Sequence, residues 1–157
     1  MNLDQIGGLL NKMFYEHKID EDTIDKIMEI VSLCKEEHIS PTCFTKKGFQ
    51  TINIIDKFSN DILKKIVLKD ELYKKIFHIH YIKYQEGGHQ EEHLHQPDEY
   101  SFILYLNNAD GDTVLKEPIN KKITPEKGKV IVFDGKILHY ALPSYKQKQV
   151  LVGAING

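Results

Sequence analysis

The sequence contains no tryptophan and only two cysteines, Cys34 and Cys43, among 157 residues. Two thiols are too few for a disulfide scaffold, and no C-x-x-C pair exists to bind zinc or exchange disulfides. No window of about 18 apolar residues occurs, so no helix is expected to cross a bilayer. Residues 1–14 lack a basic region, a long apolar run and a small-residue cleavage site, and so do not read as a secretory signal. A reducing cytoplasm is the expected compartment. Charge of one sign is also missing: 21 basic residues meet 23 acidic ones, for a net charge of −2. No basic block is present to track a phosphate backbone, which disfavours nucleic acid as a partner. Internal repeats and low-complexity segments are absent.

What is present fits one domain, residues 1–157. A chain this long buries roughly 70% of its unfolded surface and needs no covalent staple. Residues 1–76 read as mostly helical support. Asp20 is the expected N-cap of a run in which Ile24, Ile27, Met28, Val31 and Cys34 recur at helical spacing, with Pro41 beyond its end. Cys34 on that stripe is expected as a small buried hydrophobe. A second amphipathic run follows Ser59 and carries Ile62, Ile66, Val67, Leu72 and Ile76. A short extended piece around residues 51–55 is expected between them.

The character changes at about Phe77. Short β-rich runs follow at residues 77–84, 101–106, 113–115, 130–133, 138–142 and 150–155. A turn cluster, NNADGD, occupies residues 107–112, a loop is expected at 87–92, and Gly128, Gly135 and Pro143 mark further turns. Short strands at this spacing predict an antiparallel sandwich or barrel. Helices first and strands second predict a mainly β, α+β architecture with the helices packed outside one β-core over residues 77–157.

Histidine is the one residue type in unusual supply. Five of the eight, His78, His80, His89, His93 and His95, fall between residues 78 and 95. In extended chain, residues i and i+2 share a face, so His93 and His95 can approach one cation together. A third ligand must come from another strand, and His139, in the apolar run 137–142, is the best candidate. Three protein ligands on one side of an octahedral ion leave room for substrate and oxygen. His78 and His80 are expected as polar decoration of a strand, although they share the alternation of Ile82 and Tyr84 and would then line a pocket. His89 is expected in solvent. Lys148, Val150, Val152 and Ala154 share one face of the last strand. A cation beside small side chains could seat a dicarboxylate, with an ordinary solvated lysine as the other reading.

Five segments in order carry a resemblance. They are YQEGGHQEEHLH (84–95), SFILYLN (101–107), GDT (111–113), PEKGKVIVF (125–133) and HYALPSYKQK (139–148). Together they resemble the iron(II)- and 2-oxoglutarate-dependent oxygenases, in particular the prolyl-4-hydroxylase-like branch and small phage-type relatives. The resemblance implies a double-stranded β-helix, the jelly-roll or cupin-like core. It implies Fe(II) and 2-oxoglutarate as cofactors and hydroxylation of an organic substrate, with a prolyl residue in a peptide, a small metabolite or a nucleobase as the options. It makes His93 and His139 iron ligands, Tyr105 a hydroxyl donor to 2-oxoglutarate, and Lys148 the partner of the far carboxylate. Two positions depart from the family pattern. His95 stands where the family has a carboxylate ligand, with Asp98 or Glu99 as alternative sources of one. Lys148 stands where the family has arginine, which keeps the charge but loses the bidentate fork. A competing resemblance is to the cupins. Gly87, His93, His95 and Glu99 fit their first motif, and Gly128 and His139 have the gap of the second. That reading implies a three-histidine metal dioxygenase or isomerase that does not use 2-oxoglutarate. A non-catalytic β-helix that binds a partner is the third reading. Oligomeric state is not encoded in any of these features.

Overall fold

Alternation along the strands decides which side chains face which way. In the computed structural model, which describes residues 14–34, 45–95 and 99–157, the elements run in this order. They are β1 (Phe14–Lys18), α1 (Glu21–Ser32), β2 (Thr45–Gln50), a 3-10 turn (Ile55–Lys57), α2 (Asn60–Val67), α3 (Asp70–Tyr73), β3 (Ile76–His93), β4 (Glu99–Tyr105), β5 (Thr113–Leu115), β6 (Lys121–Ile123), β7 (Lys129–Asp134), β8 (His139–Ser144) and β9 (Lys148–Asn156). The strands form one curled sheet in the order β1-β7-β4-β9-β3-β8-β5-β6, with β2 added on β3. Every pairing is antiparallel. This is the mainly β jelly-roll architecture that the sequence predicts.

The sheet has two apolar faces. Ile79 and Tyr81 of β3, Phe102 and Leu104 of β4, Val130 and Val132 of β7, and Leu151 of β9 pack beneath the helices. Their strand neighbours Ile82, Tyr84, Ile103, Tyr105, Ile131, Phe133, Val150 and Val152 form the inner face. Each fully buried side chain of this size contributes roughly 1.5–3 kcal/mol of transfer free energy. The ring of Phe102 lies directly over Gly153, where a Cβ would come within 1.9 Å of the ring.

The helices follow their signals. Asp20 caps α1 by accepting from the Thr23 N–H at 3.0 Å, and Ile24, Ile27 and Val31 are buried beneath it. Cys34 follows the helix and packs half-buried against the same core. Cys43 and Pro41 lie outside the described residues. Ser59 Oγ caps α2 by accepting from the Ile62 N–H at 3.3 Å.

The N-terminal half differs from expectation in three places. The run after Ser59 is two helices, because Leu68 adopts a left-handed conformation, φ 60°, and turns the chain. Ile76, placed on that helical stripe, instead opens β3. The strand near residue 51 is Thr45–Gln50, and β1 adds a second strand to a region read as mostly helical. Both strands are short and mixed in polarity, and the sheet supplies their hydrogen-bond partners. Among the described residues no helix is long and apolar enough to cross a membrane.

Candidate metal centre

The segment 87–92, expected as a loop, is the far half of β3. Its polar and glycine-bearing composition reads as a loop, but two neighbours impose strand geometry. Gln90 and His89 pair with Thr45 and Lys46 of β2. Gly88, Gln90 and His93 pair with Ser144, Ala141 and His139 of β8, with register shifts between them. This ladder puts His93 directly across from His139. His95 follows two residues later, and its own N–H donates to the Gly135 carbonyl at 2.8 Å.

The three histidines singled out in the sequence converge. Their ligating atoms all lie within 4.8 Å of one another. Ring centroids are separated by 4.1 Å for His93 and His139, 5.1 Å for His95 and His139, and 5.3 Å for His93 and His95. Nδ1–H of His93 donates to the Glu91 carbonyl at 2.7 Å, and Nδ1–H of His139 donates to the Ile137 carbonyl at 2.9 Å. A carbonyl only accepts, so in both rings the proton sits on Nδ1 and Nε2 is the atom offered for ligation. Burial and proximity to His93 push His139 down to about 3 and His95 down to about 4. Burial also lowers His93. All three rings are therefore neutral at pH 7, the state that ligates a metal without first losing a proton. This donor set fits a divalent first-row ion. Among the described residues these three form the one His/Cys/Asp/Glu group close enough to hold an ion, so Glu99 does not join it. Asp98 lies outside the described residues.

On the same inner face, β9 begins with Lys148, which is only 1% exposed. Lys148 is thus not the solvated lysine of the alternative reading. Its Nζ donates to the Gly111 carbonyl at 2.8 Å and lies 4.4 Å from the centre of the Tyr84 ring. Burial lowers its pKa to about 8, opposed by Asp110 and Asp112, so it remains an ammonium at pH 7. Tyr105 is fully buried, and its hydroxyl hydrogen-bonds Thr113 Oγ1 at 2.5 Å. Burial raises its pKa, which keeps the phenol protonated. Tyr84, Tyr105, Thr113, Lys148 and Val152 line one cavity.

Sequence reasoning missed the support beneath Lys148. Asp110 accepts from Ser144 Oγ at 2.9 Å and from the Tyr145 and Lys146 N–H groups at 3.0 Å each. These bonds, that from Lys146 foremost, hold the Asp110 carboxyl at about 2. They fasten the turn that carries Gly111, whose φ of +80° suits glycine, and a Cβ there would meet the Leu142 carbonyl at 2.8 Å. The first aspartate of NNADGD, Asp110, was the available signal.

His78 and His80 correct the expectation of surface decoration. Their rings hydrogen-bond each other, His78 Nε2 to His80 Nδ1, at 3.1 Å. Burial, followed by the neighbouring His78, His95 and His93, pushes His80 down to about 3. The shared alternation with Ile82 and Tyr84 was the better guide. His89 is half-buried within β3, with Nδ1 3.3 Å from the Gly87 carbonyl, and stands apart from the triad.

No family model and no curated protein sequence matches the chain. Solved structures do. A prolyl-4-hydroxylase from Pseudomonas putida matches with a TM-score of 0.72 at 16% identity, covering 96% of each chain. An oxidoreductase of the 2OG-Fe(II) oxygenase family from Burkholderia pseudomallei matches with a TM-score of 0.73 at 15% identity, covering 100% of this chain and 92% of that one. A predicted oxalate decarboxylase from Thermotoga maritima matches with a TM-score of 0.56 at 16% identity, covering 80% of this chain and 96% of that one. The chain therefore has the double-stranded β-helix fold in the form seen among 2-oxoglutarate- and iron(II)-dependent oxygenases, prolyl-4-hydroxylases included.

Proposed function

We propose that the chain is a non-haem oxygenase that binds Fe(II) through His93, His95 and His139, takes 2-oxoglutarate as cosubstrate and hydroxylates an organic substrate. One observation carries this reading. A neutral three-imidazole cluster and a buried ammonium beside a buried phenol occupy the same inner face of a β-helix. Bound iron would supply the redox chemistry with O2 and 2-oxoglutarate. The chain's own residues divide the remaining work. The triad fixes the ion, and the Glu91 and Ile137 carbonyls hold two of its rings in the ligating tautomer. Lys148 neutralises the far carboxylate of the dicarboxylate, and the Tyr105 hydroxyl donates to it. Ile82, Val150 and Val152 keep water away from the chain of the keto acid. Three neutral imidazoles leave the ion's charge uncompensated, which favours an anionic chelate. Within this reading, the substrate is a prolyl residue of a peptide or a small metabolite.

The test is an anaerobic titration of the Fe(II)-loaded protein with 2-oxoglutarate. The expected result is a visible charge-transfer band, followed by succinate on admission of oxygen. Bound iron with no band overturns the reading. The third imidazole in place of a carboxylate favours a second reading, a three-histidine cupin-type dioxygenase or isomerase. Turnover without consumption of 2-oxoglutarate would select it.

A further inference from the structure

The inner face carries another polar group, beside the triad and away from Lys148. In one row across the sheet, His78 of β3 stands opposite Ala154 of β9, and Ala154 stands opposite Ser101 of β4. Strands lie about 4.8 Å apart, so the His78 and Ser101 backbones are separated by about 10 Å. In that row only the small Ala154 side chain lies between them. In the next row His80 stands opposite Val152, and Val152 opposite Ile103.

Ser101 is 1% exposed, yet among the described residues its Oγ has no hydrogen-bond partner. A buried, unsatisfied hydroxyl opposes folding, and an alanine there would remove that cost. His80 is held at Nδ1 by His78 at 3.1 Å, which fixes the ring on this face. The His95 segment is tied to the start of β4 through Gly135: His95 N–H donates to the Gly135 carbonyl, and Gly135 N–H donates to the Glu99 carbonyl, each at 2.8 Å. The start of β4, which carries Ser101, is thus anchored to the ligand histidine.

We propose that Ser101, His80 and His78 form a subsite that holds an uncharged hydrogen-bonding group of the organic substrate, an amide or an alcohol, next to the metal position. This deepens the oxygenase reading and rests on it. The two rows hold His78, Ala154, Ser101 and Phe133, then His80, Val152, Ile103 and Ile131. Neither row contains a carboxylate, lysine or arginine; the nearest charged group is Glu99, one row beyond Ser101, which acts on His78. Burying an ion against them costs far more than burying a neutral donor and acceptor. The two imidazoles share one proton across their contact, so the pair presents either a donor or an acceptor by reversing that bond. Anchoring the substrate there orients its reacting C–H bond, which is a positioning role.

The test is an 1H–15N NMR titration of the full chain, without metal, with N-acetylglycinamide and with its carboxylate counterpart N-acetylglycine. The neutral diamide should shift the Ser101, Ala154 and His80 resonances, and the carboxylate should shift them less at equal concentration. Affinity for the diamide should fall at least fivefold in Ser101→Ala and in His80→Leu, and return in His80→Gln. Ser101→Ala should keep or raise Tm, since it deletes only the unsatisfied hydroxyl. Unmoved Ser101 and His80 resonances, shifts confined to the surroundings of Lys148, or equal binding by Ser101→Ala would each overturn the subsite. The iron and 2-oxoglutarate band is measured separately. Its loss in the wild type rejects the oxygenase reading, while the metal-free titration still decides the subsite.

Discussion

The helix-covered face and the inner face of the sheet share the same strands but are stocked in opposite ways. Toward the helices, Ile79, Phe102, Leu104, Val130 and Leu151 meet Ile24, Ile27 and Ile66 in an apolar layer. Toward the inside, the adjacent positions include His80, Ser101, Tyr105 and Lys148. The first layer contributes the burial that offsets chain entropy. The second holds groups that burial disfavours: an ammonium with a depressed pKa, imidazoles kept neutral, and a hydroxyl that has no partner among the described residues. Such groups persist because the apolar layer over-determines the fold, and they stand ready where a ligand can satisfy them.

The strongest way to break this comparison is at the triad. His93→Ala or His139→Ala should reduce iron content to near zero and abolish succinate formation, with the circular dichroism of the fold kept. Metal analysis of the anaerobically loaded variants checks this, and retained stoichiometric iron would separate the inner face from metal binding. On the opposite face, Phe102→Ala should destabilise by about 3–5 kcal/mol in urea denaturation, the usual cost of emptying a core aromatic site. Iron affinity per folded molecule should not change. A selective loss of iron would show that the two faces are not separable in function.

Lys148→Met sharpens the contrast, because it should move affinity and stability in opposite directions. Loss of the buried charge partner should weaken 2-oxoglutarate binding by about 2–4 kcal/mol, read by calorimetry. Tm of the ligand-free protein should rise, because the buried ammonium is gone. A lower Tm would mean that the bond to Gly111 outweighs desolvation. In the wild type, 2-oxoglutarate binding should weaken above pH 8. Between about pH 8 and 10.5 the unfolded chain holds the Lys148 proton more tightly than the folded one, so this group makes stability rise with pH there.

The acid response of the metal-free protein tests the inner face without any ligand. His80 and His139 are depressed to about 3 and His95 to about 4, against 6.5 unperturbed. As pH falls below 6.5 the unfolded chain binds protons first, so stability is lost progressively toward pH 4. Each fully shifted histidine contributes a slope of about 1.4 kcal/mol per pH unit. Urea midpoints at intervals from pH 7 to 4.5 should show the slope, and His80→Leu should flatten it. Identical slopes in the two proteins would mean that His80 is not held neutral by burial.

Local signals made the C-terminal half legible. Thr113–Leu115 matches its strand in full, and the runs around Val130–Phe133 and Val150–Ile155 lie within the longer strands β7 and β9. Asp20 and Ser59 cap the helices they were expected to cap. The errors fall where a partner overrides composition. Residues 87–92 look like a loop until β2 and β8 pair with them. Phe14–Lys18 carries too few alternations to show itself as a strand without β7 beside it. The half-buried state of His78 and His80 depended on which side of β3 the sheet closes over.

The sequence by itself determined the alternating strands, the capped helices and the set of chemistry-bearing residues, because these depend on spacing within one segment. Only the tertiary structure decided that His93 meets His139 across two strands, that Lys148 is sealed beside Tyr84, and that Ser101 finds no partner among the described residues. Those outcomes depend on register and curvature between segments distant in the chain, and no periodicity within either segment contains them.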